Sequence, residues 1–153
     1  MFDYMEYFYE NFEVGTKIVT RDRVVSGTEM ELFAGLIGAY NPLFLSDKVA
    51  RSKGFKGKIA PGPLIIAFSF GLEYQTGIFD NIVALLGLDE IRFKAPLMQG
   101  DSIRSELEVV DRRETRRSDR GIVTFQKKCF KGDEEIMEGK VTIMYLKRTI
   151  ENI

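Results

Sequence analysis

The 153-residue sequence contains no histidine. Histidine is the side chain whose unperturbed pKa lies nearest neutrality, and it is the commonest general base. The chain alone therefore cannot assemble a histidine-based catalytic triad or a histidine-rich metal site. Its single cysteine, Cys129, has no partner for an internal disulfide and leaves the chain short of zinc ligands. We expect no metal centre and no cofactor of that kind.

Long apolar runs and an excess of positive charge are also missing. No apolar stretch approaches the roughly 20 residues of a membrane-spanning helix. Lys and Arg number 22 against 23 for Asp and Glu, so the net charge is -1 and lacks the basic excess of a nucleic-acid-binding protein. The opening "MFDYMEYFYENF" carries acids where a secretory signal would carry bases. We expect a cytoplasmic protein without nucleic-acid or membrane partners.

The length and the absence of internal repeats predict a single domain over residues 1–153. Its first twelve residues form an aromatic N-terminal extension with six rings: Phe2, Tyr4, Tyr7, Phe8, Tyr9 and Phe12. We expect this segment to dock on the body of the protein or on a second subunit.

Residues typical of helix ends delimit one strand and two helices in the first half of the chain. Residues 16–25 predict a strand, and Ser26 with Glu29 has the spacing of a capping box that opens a helix ending near Gly38. After Pro42, a second helix is predicted from a Ser46 cap to about Lys53, with Gly54 as its stop.

The most apolar stretch, "APGPLIIAFSFGLEYQTG" at 60–77, predicts a buried helix over about 63–76. Such a helix is about 20 Å long and would cross four or five strands. The rest of the chain predicts long strands: a bulged or interrupted one at 81–96, an alternating one at 101–113, and two more joined by a turn at 131–134. An antiparallel sheet wrapped around one long central helix is an α+β hot-dog fold, and it usually pairs subunits because the wrapped sheet leaves edges and an open face.

Three stretches in register carry a family resemblance. "FAGLIGAYNPLFLSD" (33–47), "GFKGKIAPGPL" (54–64) and "IRFKAPLMQGD" (91–101) resemble the MaoC-like hot-dog family, whose best-known members are (R)-specific enoyl-CoA hydratases. With the "FEVGTKI" segment, the match covers most of the chain. The resemblance implies acyl-thioester ligands, usually acyl-CoA, bound in a tunnel beside the central helix.

The same resemblance shows what this chain lacks. The family's general acid/base pair, an Asp and a His, falls on Ala39 and Phe44, which cannot move a proton. A small hydroxyl residue that is common on the family's central helix aligns with Ala67. No catalytic residue of the ordinary hydratase pair is therefore retained.

The resemblance implies that the binding residues survive. Asn41 and Pro42 keep the shape of the loop, and Gly62 aligns with the glycine whose backbone N–H faces the thioester carbonyl. An alternative interpretation is that Pro63, at the first helical position after a flexible glycine, simply begins a helix. The predicted substrate-binding set is Gly62, Asn41, Tyr40, Phe44 and Ala67.

Three other side chains are weak candidates for acid/base chemistry. The Tyr40 phenol is a poor base near neutrality, and a packing or hydrogen-bonding role is the alternative. For Asp47 the alternative is structural, because a carboxylate in the first turn of a helix interacts favourably with the helix dipole. Glu73 lies 11 residues beyond Gly62, about 16 Å along the helix axis, and we interpret it as part of a solvated helix end unless it acts across a dimer.

Other residues have structural interpretations beside functional ones. The run "DRRETRRSDR" (111–120) is either a solvated hairpin tip or a contact for CoA phosphates. Phe93 is predicted to form a wall of the core or tunnel, and Cys129 to be a small buried filler.

Three functions remain open. The first is an acyl-thioester-binding protein without hydratase activity, acting as a sensor or as the silent subunit of a heteromeric hydratase. The second is an acyl-CoA thioesterase that uses Asp47 or Glu73, and the third is an interaction module built on the aromatic N-terminus. Expected partners are acyl-CoA or an acyl-carrier thioester, and a second copy or a related subunit in a dimer or larger oligomer.

Overall fold

The computed structural model describes residues 6–148. Within that range, no helix combines the length and the apolar composition needed to cross a membrane. The predictions for Phe2 and Tyr4 concern residues outside this range.

Six antiparallel strands form the sheet: β1 (Lys17–Val19), β2 (Arg23–Val24), β3 (Ile82–Phe93), β4 (Ser102–Glu114), β5 (Arg120–Lys131) and β6 (Glu134–Leu146). Their order is β1-β4-β5-β6-β3, with β2 also paired to β4. The predicted β5–β6 turn is confirmed at Gly132, whose φ of 60° suits glycine. β3 therefore lies at one end of this order.

Four α-helices accompany the sheet: α1 (Gly27–Ile37), α2 (Pro42–Leu45), α3 (Asp47–Ser52) and α4 (Gly62–Tyr74). The capping box at Ser26 and Glu29 is confirmed, and Gly38 ends α1 in the left-handed conformation. Ser46 caps α3 as predicted, by accepting a hydrogen bond from Val49 N–H at 3.2 Å.

The core consists of two apolar clusters along the inner face of the sheet. One packs α4 residues such as Leu64 and Leu72 against Ile103, Ile136 and Met137 of the strands. The other gathers around Phe125 and Tyr145 and includes Phe12 from the aromatic N-terminal segment. This segment forms a 3-10 turn over Tyr9–Asn11. Because Tyr9 and Phe12 are buried in this cluster, its docking on the body is confirmed for the described residues.

Two predictions about these elements need correction. The single strand predicted at 16–25 is divided into β1 and β2, because the register against β4 shifts by one residue between Val19 and Arg23. Thr20 lies at the break, where its hydroxyl accepts the N–H of Ser105 at 2.9 Å. The second correction concerns α4, which was predicted to be a buried helix. It is not buried on every face, since Ala67 and Tyr74 are exposed in the single chain.

Candidate functional site

A cleft of about 410 Å³ opens beside the start of α4. Its walls come from the loop around α2, the segment before α4 and the end of β3, and they are almost entirely apolar. The lining residues are Phe44, Phe55, Ile59, Ala60, Gly62, Ile65, Phe93, Lys94, Ala95, Pro96 and Leu97. The cleft thus joins all three sequence stretches of the predicted site.

Gly62 occupies the position where this cleft meets the helix. Its neighbour Pro63 has no N–H, and Leu64 N–H already donates to Pro61 O at 2.9 Å. Among the described residues nothing accepts a hydrogen bond from Gly62 N–H, so the first turn of α4 presents this donor at the positive end of the helix.

The absence of a side chain at Gly62 makes room for an aromatic ring. A Cβ atom there would lie 3.1 Å from the nearest carbon of the Phe93 ring, tighter than an ordinary contact. Phe93 therefore packs directly on the glycine and is a wall of the cleft, as predicted. Gly62 is the first residue of α4, as the structural interpretation expects, and it also lines the cleft. The contact of its N–H with a thioester carbonyl stays a prediction.

In the segment between α1 and α3, Phe44 lines the cleft. The polar side chains nearby accept hydrogen bonds from backbone N–H groups instead. Asn41 caps α2 by accepting a hydrogen bond from Leu43 N–H at 3.0 Å. Asp47 accepts a hydrogen bond from Lys58 N–H at 2.9 Å, which ties α3 to the segment that leads into the cleft. The structure thus gives Asn41 and Asp47 local structural contacts.

The other predicted site residues lie outside the cleft wall. Ala39 N–H donates to Ala34 O at 2.8 Å in the last turn of α1. Tyr40 is exposed, and its hydroxyl donates to Gly35 O at 3.4 Å. Ala67 lies on the exposed side of α4. Of the predicted substrate-binding set, the structure brings together only Gly62 and Phe44 in this chain.

Among residues 6–148, Lys94 is the one titratable side chain that lines the cleft. Its ammonium group lies 2.9 Å from Glu135 and 3.2 Å from Glu138. The hydrogen bond to Glu135, followed by that to Glu138, raises the pKa of Lys94 above its ordinary value. Lys94 therefore stays protonated near neutrality and is not a general base.

Glu73 is not part of a solvated helix end, and that prediction is wrong. Its side chain is fully buried under the sheet, where it forms an ion pair with Lys127 at 2.8 Å. Ser105 Oγ donates a further hydrogen bond to the carboxylate at 2.6 Å. Burial raises the pKa of Glu73, while Lys127 and then Ser105 act in the opposite direction.

Lys127 and Ser105 were not predicted as buried polar residues, although the alternation of side chains along β4 and β5 indicates that both face inward. In β5, Lys127 lies two residues from Phe125 and from Cys129, and all three side chains are buried. A lysine on the inward face of a strand requires a buried partner. Cys129 itself is buried as predicted, and burial raises the pKa of its thiol.

The arginine-rich segment 111–120 forms the end of the β4–β5 hairpin. The cleft lies near the opposite end of β4, because Leu97 in its wall precedes Ser102, the first residue of that strand. A strand of 13 residues spans roughly 40 Å, so these arginines do not reach the cleft of their own chain. No group of three or more His, Cys, Asp or Glu side chains converges within residues 6–148 as a metal site would require.

Comparisons with known proteins agree with this architecture. The family model described as MaoC like domain matches residues 10–128. An (R)-specific enoyl-CoA hydratase from Rhodospirillum rubrum is 25% identical over 147 residues, which are 93% of this chain and 94% of the relative.

Solved structures extend the likeness to three dimensions. The (R)-hydratase from A. caviae involved in PHA biosynthesis has a TM-score of 0.71 at 28% identity, covering 88% of this chain and 97% of that one. A MaoC-like dehydratase from Rhodospirillum rubrum has a TM-score of 0.84 at 24% identity, covering 94% and 99%. The latter likeness shows the fold alone, and with it the predicted α+β hot-dog architecture is confirmed.

Proposed function

Because this chain belongs to the MaoC-like domain family, we propose that it binds an acyl thioester in the cleft at the start of α4 without ordinary hydratase activity. The observation that carries the proposal is the juxtaposition of Gly62 and Phe44 in one cleft wall. The first provides a free N–H donor, and the second places a benzyl group at the position of a catalytic histidine.

The cleft suits an acyl thioester in size and chemistry. Its volume of about 410 Å³ lies within the range of small-molecule sites, and its aromatic walls would contact the acyl chain. A thioester carbonyl needs a donor directed at its oxygen, which Gly62 N–H at the helix start supplies. A relative that is 25% identical is named for an enoyl-CoA substrate, which supports the same ligand class.

The proton transfers of hydration have no residues to perform them in this cleft. Adding water to an enoyl thioester requires a base that deprotonates water and an acid that protonates the α-carbon. Phe44 can do neither, and neither can Ala39 at the other family position. Lys94 is held in its protonated form by Glu135 and Glu138. These side chains support the proposal of binding without turnover.

The thioesterase alternative gains no support from the two carboxylates. Glu73 is fully buried in its ion pair with Lys127, and it does not line the cleft. Asp47 accepts the N–H of Lys58 and also lies outside the cleft wall.

The edge of β3 supports the proposal of a second subunit. β3 lies at the end of the sheet order, and four of its apolar side chains are exposed by 39 to 50%: Val83, Leu85, Leu86 and Leu88. An uncovered apolar edge strand invites pairing with another strand. We propose that a second copy pairs here, and a related active subunit would use the same edge in a heteromer.

A calorimetric titration tests the binding proposal. The native protein should bind a short trans-2-enoyl-CoA and leave its conjugated absorbance unchanged. Gly62→Pro removes the N–H, whereas the matched variant Gly62→Ala keeps it and introduces a similar contact with Phe93. We expect Gly62→Pro to bind about 3- to 10-fold more weakly than Gly62→Ala, the effect of one hydrogen bond.

Two outcomes would overturn the proposal. If the native protein consumes the enoyl-CoA at an enzymatic rate, the cleft contains acid/base groups that Phe44 and Lys94 do not supply. If no acyl-CoA or acyl-pantetheine binds in the titration, the cleft is not a thioester site.

A further inference from the structure

Positive charge is concentrated in one short segment of an otherwise acidic chain. Residues 47–58 contain five cationic side chains, which we call the basic rim: Lys48, Arg51, Lys53, Lys56 and Lys58. Asp47 is the only acid there, so the segment has a net charge of +4 while the whole chain has -1. The remainder of the chain therefore carries -5.

Most of the basic rim is free to contact a ligand. Lys48, Arg51, Lys53 and Lys56 are exposed, and none of the four forms an ion pair with any residue in the range 6–148. Lys58 pairs with Glu31 at 2.5 Å. The Asp47 carboxylate accepts a hydrogen bond from Lys58 N–H and forms no ion pair with the basic rim within residues 6–148.

The basic rim is continuous with the cleft. Phe55 lines the cleft and lies between Lys53 and Lys56 in the sequence, and Ile59, the next lining residue, follows Lys58. Arg51 Nε donates to Lys56 O at 3.2 Å, which fixes the loop beside α3. The uncompensated charge therefore lies on residues that directly adjoin the cleft wall.

We propose that the basic rim binds the phosphates of coenzyme A while its acyl thioester occupies the cleft; this inference rests on the proposed function. The 3′-phosphate of coenzyme A alone has a charge of about -1.5 to -2 at neutral pH. Lysine ammonium groups bind phosphate as point charges, and the Arg51 guanidinium can donate two parallel hydrogen bonds.

The charged hairpin at 111–120 is neutralised only in part, since Arg113 and Arg116 are exposed and form no ion pair within residues 6–148. Arg117 and Arg120 both pair with Asp119, and Arg112 stacks over the Tyr9 ring. That hairpin nevertheless lies at the far end of β4 from the cleft. The phosphate contact that the sequence suggested for this run is thus assigned to residues 48–58 instead.

The experiment measures binding of free CoA, butyryl-CoA, butyryl-dephospho-CoA and butyryl-pantetheine by calorimetry at two salt concentrations. The test variant is Lys53→Gln/Lys56→Gln, and the matched control Lys17→Gln/Arg116→Gln removes two exposed charges away from the cleft. We expect the test variant to lose about 5- to 20-fold in affinity for butyryl-CoA and to become less salt-sensitive. Its affinity for butyryl-pantetheine should equal that of the native protein and of the control.

Failure of this inference differs from failure of the proposed function. If butyryl-CoA and butyryl-pantetheine bind the native protein equally, or if the test variant weakens both equally, the basic rim has no phosphate role although the cleft binds thioesters. If no thioester binds, both proposals fall.

Discussion

At the scale of single residues, the pair of Glu73 and Lys127 places two charged side chains in the core, where desolvation is costly. Both side chains are at most 1% exposed, and the ammonium group also lies 3.8 Å from the centroid of the Phe70 ring. Removing charges from water costs several kcal/mol per ion, and only good geometry and further hydrogen bonds offset that cost. Ser105 provides one such bond, so the three residues act as a unit.

Lys127→Met should destabilise the protein by about 3–5 kcal/mol, because it leaves the buried Glu73 carboxylate without its partner. The double variant Glu73→Gln/Lys127→Met removes both charges and should recover much of that loss. Urea unfolding measures both free energies, with the exposed neighbour Lys128→Met as a control that changes little. Equal loss in the single and double variants would show that packing, not charge, determines the effect.

The same variant should show a characteristic pH dependence. A carboxyl group whose pKa is raised in the folded state stabilises that state at low pH, and the contribution is lost as the pH rises through the folded pKa. The pKa of Glu73 is raised by burial above 4.5, and loss of Lys127 removes the largest opposing influence. The deficit of Lys127→Met relative to the native protein should therefore shrink as the pH falls from about 8 towards about 5. The double variant, which lacks the carboxyl group, should show no such trend.

Phe44 and Ala39 permit a gain-of-function prediction. Ala39→Asp with Phe44→His returns an acid and a base to the two family positions, and we expect slow hydration of trans-2-enoyl-CoA where the native protein shows none. Ala39→Asn/Phe44→Gln, which has polar groups of similar size that do not titrate near neutrality, should stay inactive. Loss of acyl-CoA binding in the double variant would mean that the cleft does not accept the imidazole.

At the scale of elements, the N-terminal turn is part of the core. Phe12 is fully buried, and its ring centroid lies 5.5 Å from that of Phe125 and 4.4 Å from that of Tyr145. A methyl group at Gly121 of β5 would overlap the Tyr9 ring, so this glycine is needed for close packing of the turn on the strand. The segment is therefore not a detachable interaction module in its described part.

Phe12→Ala should cost about 3–5 kcal/mol in the free energy of unfolding, as large-to-small changes in cores do. Val14→Ala, at a side chain that is 63% exposed, should change stability by less than about 0.5 kcal/mol. Thermal and urea unfolding of the two variants provide the comparison. A neutral Phe12→Ala would mean that the turn contributes nothing to the core.

At the scale of the whole molecule, β3 lies at one end of the strand order and exposes several apolar side chains. The four exposed aliphatic side chains lie in its first half, whereas the second half exposes Asp89, Glu90 and Arg92 and ends in the cleft residue Phe93. The register against β6 also shifts three times along β3, and Glu90 has a φ of 54° at the last irregularity. We expect pairing between copies to use residues 82–88.

Leu86→Lys/Leu88→Lys should disrupt this pairing by placing two charges on the apolar half of the edge. Light scattering after size exclusion should give twice the chain mass of 17.5 kDa for the native protein and the single mass for the variant. Val14→Lys/Val110→Lys, at exposed side chains outside β3, should keep the native mass. A native protein that elutes as a monomer would contradict the pairing proposal.

Local patterns in the sequence determined most of the elements. The capping box at Ser26, the serine cap at Ser46 and the alternation of Ile103, Leu107 and Val109 each depend on neighbours a few residues away, and all three were predicted correctly. The bulged nature of β3 was also predicted, because its apolar residues do not alternate regularly. The expectation that Ala39 and Phe44 replace an acid/base pair came from the sequence through its family resemblance.

Only the tertiary structure decided which side chains meet. Lys127 and Glu73 are 54 positions apart, and their pairing depends on how α4 crosses β5, which no local pattern encodes. The same holds for the Phe93 ring on Gly62 and for the contact of the basic rim with the cleft. Helices and strands follow from short-range periodicity and capping, whereas burial, ion pairing and the shape of a cleft arise from contacts between distant parts of the chain.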